Sequence, residues 1–325
     1  MELICEIGVN HNGRMDLAHE MIDAIATHGG KIAKFQAISQ ETNYNFATVG
    51  GDVYSAVKAA YLTKDQFIEL KSHCDEKSIE FMCSAADIPA LEMLCDIGVQ
   101  RLKFSSGNFN NFHLLSNLRD LSQDVILSCG MATENEILKT VDFLRDKLAL
   151  TNSISLLYCV SNYPALPSDF DFAILDFISG LEHVDKIGFS DHSVSNVASI
   201  IATQHGAEII EKHITLDKKM SGPDHSFSLT GAEIKKLLLD LNEASKIVSS
   251  YGSGSGDKVA HKSLRRVMYA NQNIRKGELI RSSMIAAKRP FNMHGTAPED
   301  YGLIIGRKSN CDIKINTMIQ LEDLE

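Results

Sequence analysis

Two rhythms of apolar and polar positions run along this chain. Short apolar runs rich in β-branched residues fall at residues 3–7, 32–36, 79–84, 101–105, 125–129, 154–159, 186–190 and 208–213. Each run is closed by turn residues, as buried strands of this length are. Between and after them lie longer stretches with helical spacing of apolar residues, at 15–27, 64–76, 88–97, 134–148, 194–205 and 231–249. Eight strands alternating with helices predict parallel strands joined by crossovers, and a closed (β/α)₈ TIM barrel accounts for the count better than an open sheet.

The pattern changes after the last helix. Tyr251-Gly-Ser-Gly-Ser-Gly-Asp257 reads as a flexible connection. We therefore expect a barrel over 1–250, a linker over 251–262 and a small, mainly β domain over 263–325. Within that domain 266–270, 274–280, 304–306 and 313–315 are β-type runs, with a turn at Lys276-Gly277. So small a lobe is marginal as a freestanding core and is expected to dock on something.

Composition narrows the function classes. Of 325 residues, 44% are hydrophobic and 23% charged, which suits an ordinary globular protein. The net charge of −10 and the scatter of its Lys and Arg leave no basic stripe for nucleic acid or an anionic membrane. Seven cysteines without CxxC spacing, Cys5, Cys74, Cys83, Cys95, Cys129, Cys159 and Cys311, read as reduced thiols. An acidic start, Met1-Glu-Leu-Ile-Cys-Glu6, and the lack of an apolar run near the roughly 20 residues a span needs predict a cytoplasmic protein, neither exported nor membrane-embedded.

Barrel enzymes gather their chemistry at the C-terminal ends of the strands. Here those ends carry Glu6, Lys34 with Gln36, Ser84, Lys103 with Ser106, Ser128, Cys159 with Ser161 and Tyr163, Ser190 with His192, and Glu211 with His213. Two lysines inside apolar strands predict an anionic ligand, because an unpaired buried ammonium is costly. The alternative is that they pair with Glu6 or Glu211 in a structural network. Consecutive strands ending in His192 and His213 are candidate ligands for one divalent ion, with Mn²⁺, Zn²⁺, Co²⁺ or Fe²⁺ all suited to neutral imidazoles. His11 reads either as a loop residue or as lining the site mouth, and His225 as supporting the site or touching substrate. The remaining histidines read as solvated.

Several motifs together resemble the sialic acid synthase family: Glu6-Ile-Gly-Val-Asn-His-Asn-Gly13, Lys34-Phe-Gln36, Ser105-Ser-Gly107, Leu127-Ser-Cys-Gly-Met131, Cys159-Val-Ser-Asn-Tyr-Pro164, Gly188-Phe-Ser-Asp-His192, Glu211-Lys-His213 and Gly222-Pro-Asp224. The segments 269–280 and Lys288-Arg-Pro290 resemble its antifreeze-like (SAF) domain. The resemblance implies a transferase that condenses phosphoenolpyruvate with the open-chain aldehyde of an N-acylmannosamine-type sugar, giving a nine-carbon 2-keto acid and phosphate. It implies His192 and His213 as ligands of the metal, Mn²⁺ first with Mg²⁺ or Co²⁺ as alternatives. Glu6 is implied as the carboxylate that handles water and protons, with Lys34, Lys103 and Glu211 also catalytic. Ser84, Ser106, Ser128, Ser161, Tyr163 and Ser190 are implied around phosphoenolpyruvate. Gln36, Asn108 and Asp224 complete the substrate pocket, and Arg289 is implied to reach the sugar from the partner subunit of a domain-swapped homodimer.

The chain departs from the family at Asn108, where many members have glutamate, and over Pro290-Phe-Asn-Met-His-Gly295, usually Gly-rich. Legionaminic or pseudaminic acid precursors, with or without a phosphate, are alternative acceptors, as is an acceptor giving a 3-deoxy-octulosonate-type product. A non-catalytic sugar-binding protein is the reading from a different class.

Overall fold

The computed structural model describes residues 1–39, 58–118, 123–247, 264–290 and 295–325. They belong to two compact units, Met1–Ile247 and Val248–Glu325. The linker expected at 251–262 lies outside the described residues, as does the end of the helix expected to reach 249.

In the first unit eight parallel strands close into a barrel in sequence order: β1 (Glu2–Gly8), β2 (Ile32–Ala37), β3 (Glu80–Ala85), β4 (Arg101–Phe104), β5 (Asp124–Ser128), β6 (Ile154–Cys159), β7 (Lys186–Asp191) and β8 (Ile209–His213). The outer helices are seated by their apolar stripes. Helix α1 (Met15–Thr27) buries Ala18, Met21, Ile22 and Ile25, a three-four spacing that points one face at the barrel. Capping boxes at Thr63/Gln66, Thr133/Glu136 and Thr230/Glu233 start three of the other helices.

Because successive strand residues face opposite sides, the barrel sorts its side chains into layers. One face of each strand joins the helix layer: Leu3, Cys5 and Ile7 from β1, and Ala33, Phe35 and Ala37 from β2. Facing inward, Ile4, Ile32, Met82, Ile126, Leu157 and Ile209 form a separate apolar cluster that plugs the interior. Two residues further along the same six strands come Glu6, Lys34, Ser84, Ser128, Cys159 and Glu211, which line a cavity. At the opposite end Arg101 ties Glu2 and Glu80 together, each at 2.6 Å, and Lys186 adds to Glu2 at 2.6 Å. That ionic cluster joins β1, β3, β4 and β7 where barrels carry stability rather than chemistry.

Asp191 and Lys212, register partners on β7 and β8, carry the outward positions between the cavity residues. They form an ion pair of 2.9 Å with side chains at most 1% exposed. Lys212 Nζ also donates to the carbonyls of Ser193 and Ser195, while Asp191 accepts from Ser199 Oγ at 2.6 Å and from Ser193 N–H at 2.8 Å. This network keeps residues 193–195 out of the helix expected to begin at 194, and it starts instead at Val197. The helix expected over 134–148 is α-helical only over Glu134–Asp142 and widens to a π turn over Phe143–Lys147.

The second unit pairs β9 (Val267–Ala270) with β10 (Ile285–Lys288) antiparallel, and β10 had no counterpart in the sequence reading. The remaining β structure consists of isolated bridges such as Ile274 with Ile313 and Leu279 with Lys308. The turn expected at Lys276-Gly277 forms, with Gly277 at φ +76°, and the β-type residues of 274–280 on either side of it make only single bridges, at Ile274 and Leu279. Residues 304–306 are a turn rather than a strand, since they leave a 3₁₀ helix (Pro298–Leu303) and end on Gly306 at φ +81°. Met268, Ile274, Ile280, Ile304, Ile313 and Ile319 belong to a buried core of this unit's own. Among the described residues no helix is long and apolar enough to cross a membrane.

Asp191→Ala strands the buried Lys212 ammonium and is expected to cost about 3–5 kcal/mol. Asp191→Leu with Lys212→Met costs less, because no charge is left buried. Urea midpoints of the two variants check this, and equal losses would refute it.

Candidate active site

The cavity at the C-terminal mouth of the barrel measures about 370 Å³. Its deepest described charges are two carboxylates and two ammonium groups, Glu6, Glu211, Lys34 and Lys103, each at most 4% exposed. Strand register sets them side by side: Glu6 opposite Lys34 on one side and His213 on the other, and Ser190 opposite Glu211. Lys34 Nζ lies 2.8 Å from Glu6 and 3.5 Å from Glu211, and Lys103 Nζ lies 3.8 Å from Glu211. Lys103 also donates to Ser128 Oγ at 2.6 Å, and Ser190 Oγ donates to Glu211 at 2.9 Å. The pairing with Glu6 and Glu211 expected of a structural network is present, in a layer that lines the cavity.

The four charges are not equivalent. Burial raises Glu6 above the ordinary carboxylate range, and the neighbouring Glu211 adds to this while Lys34 opposes it. Burial also works against Glu211, but Lys103 and Lys34 outweigh it and hold this carboxylate low. Lys34, between two carboxylates, is raised despite its burial. Lys103 is lowered by burial, which Glu211 offsets only in part. Lys103 is the ammonium with the most unmet demand for a negative partner, as a site for an anionic group requires. Glu6, oriented by Gln36 Nε2 at 2.6 Å, has the raised affinity for protons that a general acid/base needs.

Above this layer stand the two imidazoles, with ring centres 5.7 Å apart. His192 Nδ1 is 2.6 Å from the carbonyl of Val160. A carbonyl only accepts, so Nδ1 carries the hydrogen and Nε2 keeps its lone pair, 3.4 Å from Ser190 Oγ. His213 Nδ1 is buried without a hydrogen-bond partner, 3.5 Å from Asp224 Oδ2. Burial lowers both rings, His213 further with His192 beside it, so both are neutral donors. Burial, with a smaller push from Glu6, raises Asp224 to about 6. Two neutral imidazoles and an orphaned nitrogen fit a divalent ion. Among the described residues no three His, Cys, Asp or Glu gather into a complete ligand set, so further positions would fall to water or substrate.

Gln36, Ser84, Ser106, Asn108 and Tyr163 line the same cavity. Tyr163 lies over His192 with ring centres 4.2 Å apart. Ser161 is half-buried and does not line the cavity, and Asp224 meets it through His213. Arg289 is exposed in the second unit, directly after β10. His11 and His225 are buried away from the cavity: His11 Nδ1 accepts from Gly13 N–H at 3.1 Å, and His225 Nδ1 meets Thr215 Oγ1 at 2.7 Å. Four of the histidines expected to be solvated are engaged instead. His73 contacts Asp23 at 2.9 Å and stacks on His19, His28 Nδ1 lies 2.8 Å from the Ala24 carbonyl, and His205 Nδ1 meets Asp176 at 2.9 Å. Sequence reasoning gave no site role to Cys159, whose thiol is 3.0 Å from Ser106 Oγ. Its place two residues after Leu157 on an inward face was the available signal.

A NeuB family model matches residues 21–253, and a SAF domain model matches residues 265–325. The chain belongs to the NeuB family. Among its relatives, the N,N'-diacetyllegionaminic acid synthase of Campylobacter jejuni is 30% identical, with 98% of each chain covered. The N-acetylneuraminate-9-phosphate synthase of Homo sapiens is 28% identical over 94% of this chain and 88% of its own. The crystal structure of the N-acetylneuraminic acid synthetase of Leptospira borgpetersenii superposes with a TM-score of 0.73 at 32% identity, over 80% of this chain and 89% of that one. These NeuB-family relatives are named for making different sugar acids, so family membership leaves the acceptor to be read from the site.

Glu211→Gln removes the carboxylate that both lysines share and is expected to cost about 3 kcal/mol in stability. If the lysines take an anion in its place, inorganic phosphate is expected to restore part of the loss. A thermal midpoint equal to that of the unaltered protein would show that Glu211 does not offset the lysines.

Proposed function

We propose that this chain is a nonulosonic acid synthase that joins phosphoenolpyruvate to the open-chain aldehyde of an N-acylated mannosamine-type sugar. The observation that carries this reading is the convergence, in one cavity, of a lysine pair, a proton-avid carboxylate and two neutral imidazoles. Lys103, Lys34, Ser128 and Ser84 hold the carboxylate and phosphate of phosphoenolpyruvate as acceptors of charge-assisted hydrogen bonds. His192 and His213 would hold a divalent metal, Mn²⁺, Mg²⁺ or Co²⁺, which supplies Lewis-acid polarisation of the aldehyde.

The methylene carbon of phosphoenolpyruvate forms the new bond to the aldehyde carbon, and the aldehyde oxygen takes up a proton. Water then adds at C2, and phosphate leaves with cleavage of the C–O bond. Glu6 is the residue placed to accept the proton of that water, with Gln36 fixing its carboxylate and Lys34 stabilising its charged form. Glu211 holds the two ammonium groups at the spacing the anion needs. On the family resemblance, the second unit serves the barrel of a second copy in a cytoplasmic homodimer and delivers Arg289 to the sugar.

Phosphate release from phosphoenolpyruvate in the presence of N-acylated hexosamines tests the reaction, and its absence with every acceptor would refute it. Glu6→Gln is expected to lower kcat by about 10²–10⁴-fold while the fold is kept. Near-normal turnover in that variant would give the role to another group. Removal of metal by EDTA is expected to stop phosphate release and Mn²⁺ to restore it, whereas full activity in a metal-free preparation would dismiss the ion.

A further inference from the structure

One nucleophilic side chain in the cavity has no part in the reaction proposed above. Cys159, the inward residue two places after Leu157 on β6, is 3% exposed and lines the cavity, with the Lys103 ammonium close enough to act on its thiol. Its Sγ lies 3.0 Å from the Oγ of Ser106, a half-buried residue on the short turn (Ser106–Asn108) that follows β4. Ser106 lines the same cavity. Among the described residues its hydroxyl makes no second hydrogen bond.

This contact exists because residue 130 has no side chain. A methyl group on Gly130 would fall 2.6 Å from Cys159 Sγ and 2.9 Å from Ser106 Oγ, in the space where the thiol and the hydroxyl meet. The backbone N–H of Gly130 donates to the Cys159 sulfur. The turn after β5 therefore both admits the pair and holds one end of it.

The partners decide where the hydrogens go. Burial pushes the Cys159 thiol up, so the sulfur keeps its hydrogen at neutral pH. A lone pair of that sulfur takes the Gly130 N–H, and the thiol's own hydrogen goes to Ser106 Oγ. A hydroxyl has two lone pairs and one hydrogen, so Ser106, accepting from the thiol, keeps its O–H for the cavity. Ser128 shows the same arrangement with a stronger donor, since its Oγ accepts from Lys103 Nζ at 2.6 Å and its own hydrogen is left to give. Two hydroxyls of the wall are thus each backed by a donor, and donors linked in a chain polarise one another.

The geometry points to Cys159 as a positioning residue that, by donating to Ser106 Oγ, commits the Ser106 O–H to an anionic oxygen of phosphoenolpyruvate. The inference rests on the synthase reading and adds to it a residue that acts through another. A thiol is a weak donor, so its contribution is a modest gain in affinity.

Calorimetric titration of phosphoenolpyruvate into the full chain tests this without turnover. Cys159→Ala and Ser106→Ala are each expected to raise Kd about 3- to 10-fold. The double variant is expected to bind as Ser106→Ala does, because the thiol has no effect once the hydroxyl is gone. Cys159→Ser, which keeps a donor, is expected to bind within about 2-fold of the unaltered protein. An unaltered Kd in Cys159→Ala, losses that multiply in the double variant, or Cys159→Ser binding as weakly as Cys159→Ala overturns the inference. If the expected Kd pattern appears but no phosphate is released with any N-acylated hexosamine, the synthase reading falls and the positioning of Ser106 stands. No binding of phosphoenolpyruvate by the unaltered protein overturns both.

Discussion

The two-residue period of side chains along a β-strand governs this molecule. In a closed barrel every second residue of every strand must point into the same narrow interior, so the interior is built in storeys. Ile4, Ile32, Met82, Ile126, Leu157 and Ile209 fill the lower one with apolar volume. Two residues on, the same strands deliver charged and polar groups from Glu6 to Glu211, and two further on Gln36, His192 and His213 reach the rim. The dry floor makes the storey above it reactive, because water cannot approach the charges from below and their mutual fields are weakly screened.

That storey is electrically balanced before any ligand arrives. Two carboxylates and two ammonium groups neutralise one another, yet unevenly: Lys34 has two anionic neighbours, and Lys103 draws on Glu211 and the Ser128 hydroxyl. Burial lowers Lys103 and raises Glu6, so the charged forms of these two are the less favoured members of the network. In the proposed reaction, anion binding and proton handling are two uses of a single four-charge network.

Most of this was legible in the sequence because strand ends can be read from periodicity and turn residues. All eight barrel strands form where the apolar runs put them, within a residue or two at their ends, and Glu6, Lys34, Lys103, Glu211, His192 and His213 meet in one cavity because each occupies an inward position. What escaped depends on contacts that periodicity does not encode. Ser161 lies just beyond β6 on irregular backbone, where strand alternation no longer fixes direction. Lys212 sits between two cavity residues, and only closure of the helix layer reveals its pairing with Asp191. In the second unit, isolated bridges interrupted by left-handed glycines leave little regular repeat to read, so the apolar run at 304–306 suggests a strand where there is a turn, and nothing in the pattern marks Ile285–Lys288 as one.

The outward pair also bears on how the barrel finds its alignment. A slip of β8 by one residue would turn Glu211 and His213 into the helix layer and swing Lys212 into the cavity. Three ammonium groups would then crowd Glu6, and a carboxylate would be stranded against aliphatic side chains. The same slip in β7 would expel Ser190 and His192 and abandon Asp191 among the remaining cavity groups. On β8 charges of opposite sign alternate between the two faces, so misalignment there is unfavourable on both sides of the wall at once. The residues that confer chemistry and the pair hidden behind them together act as a proofreading code for strand register.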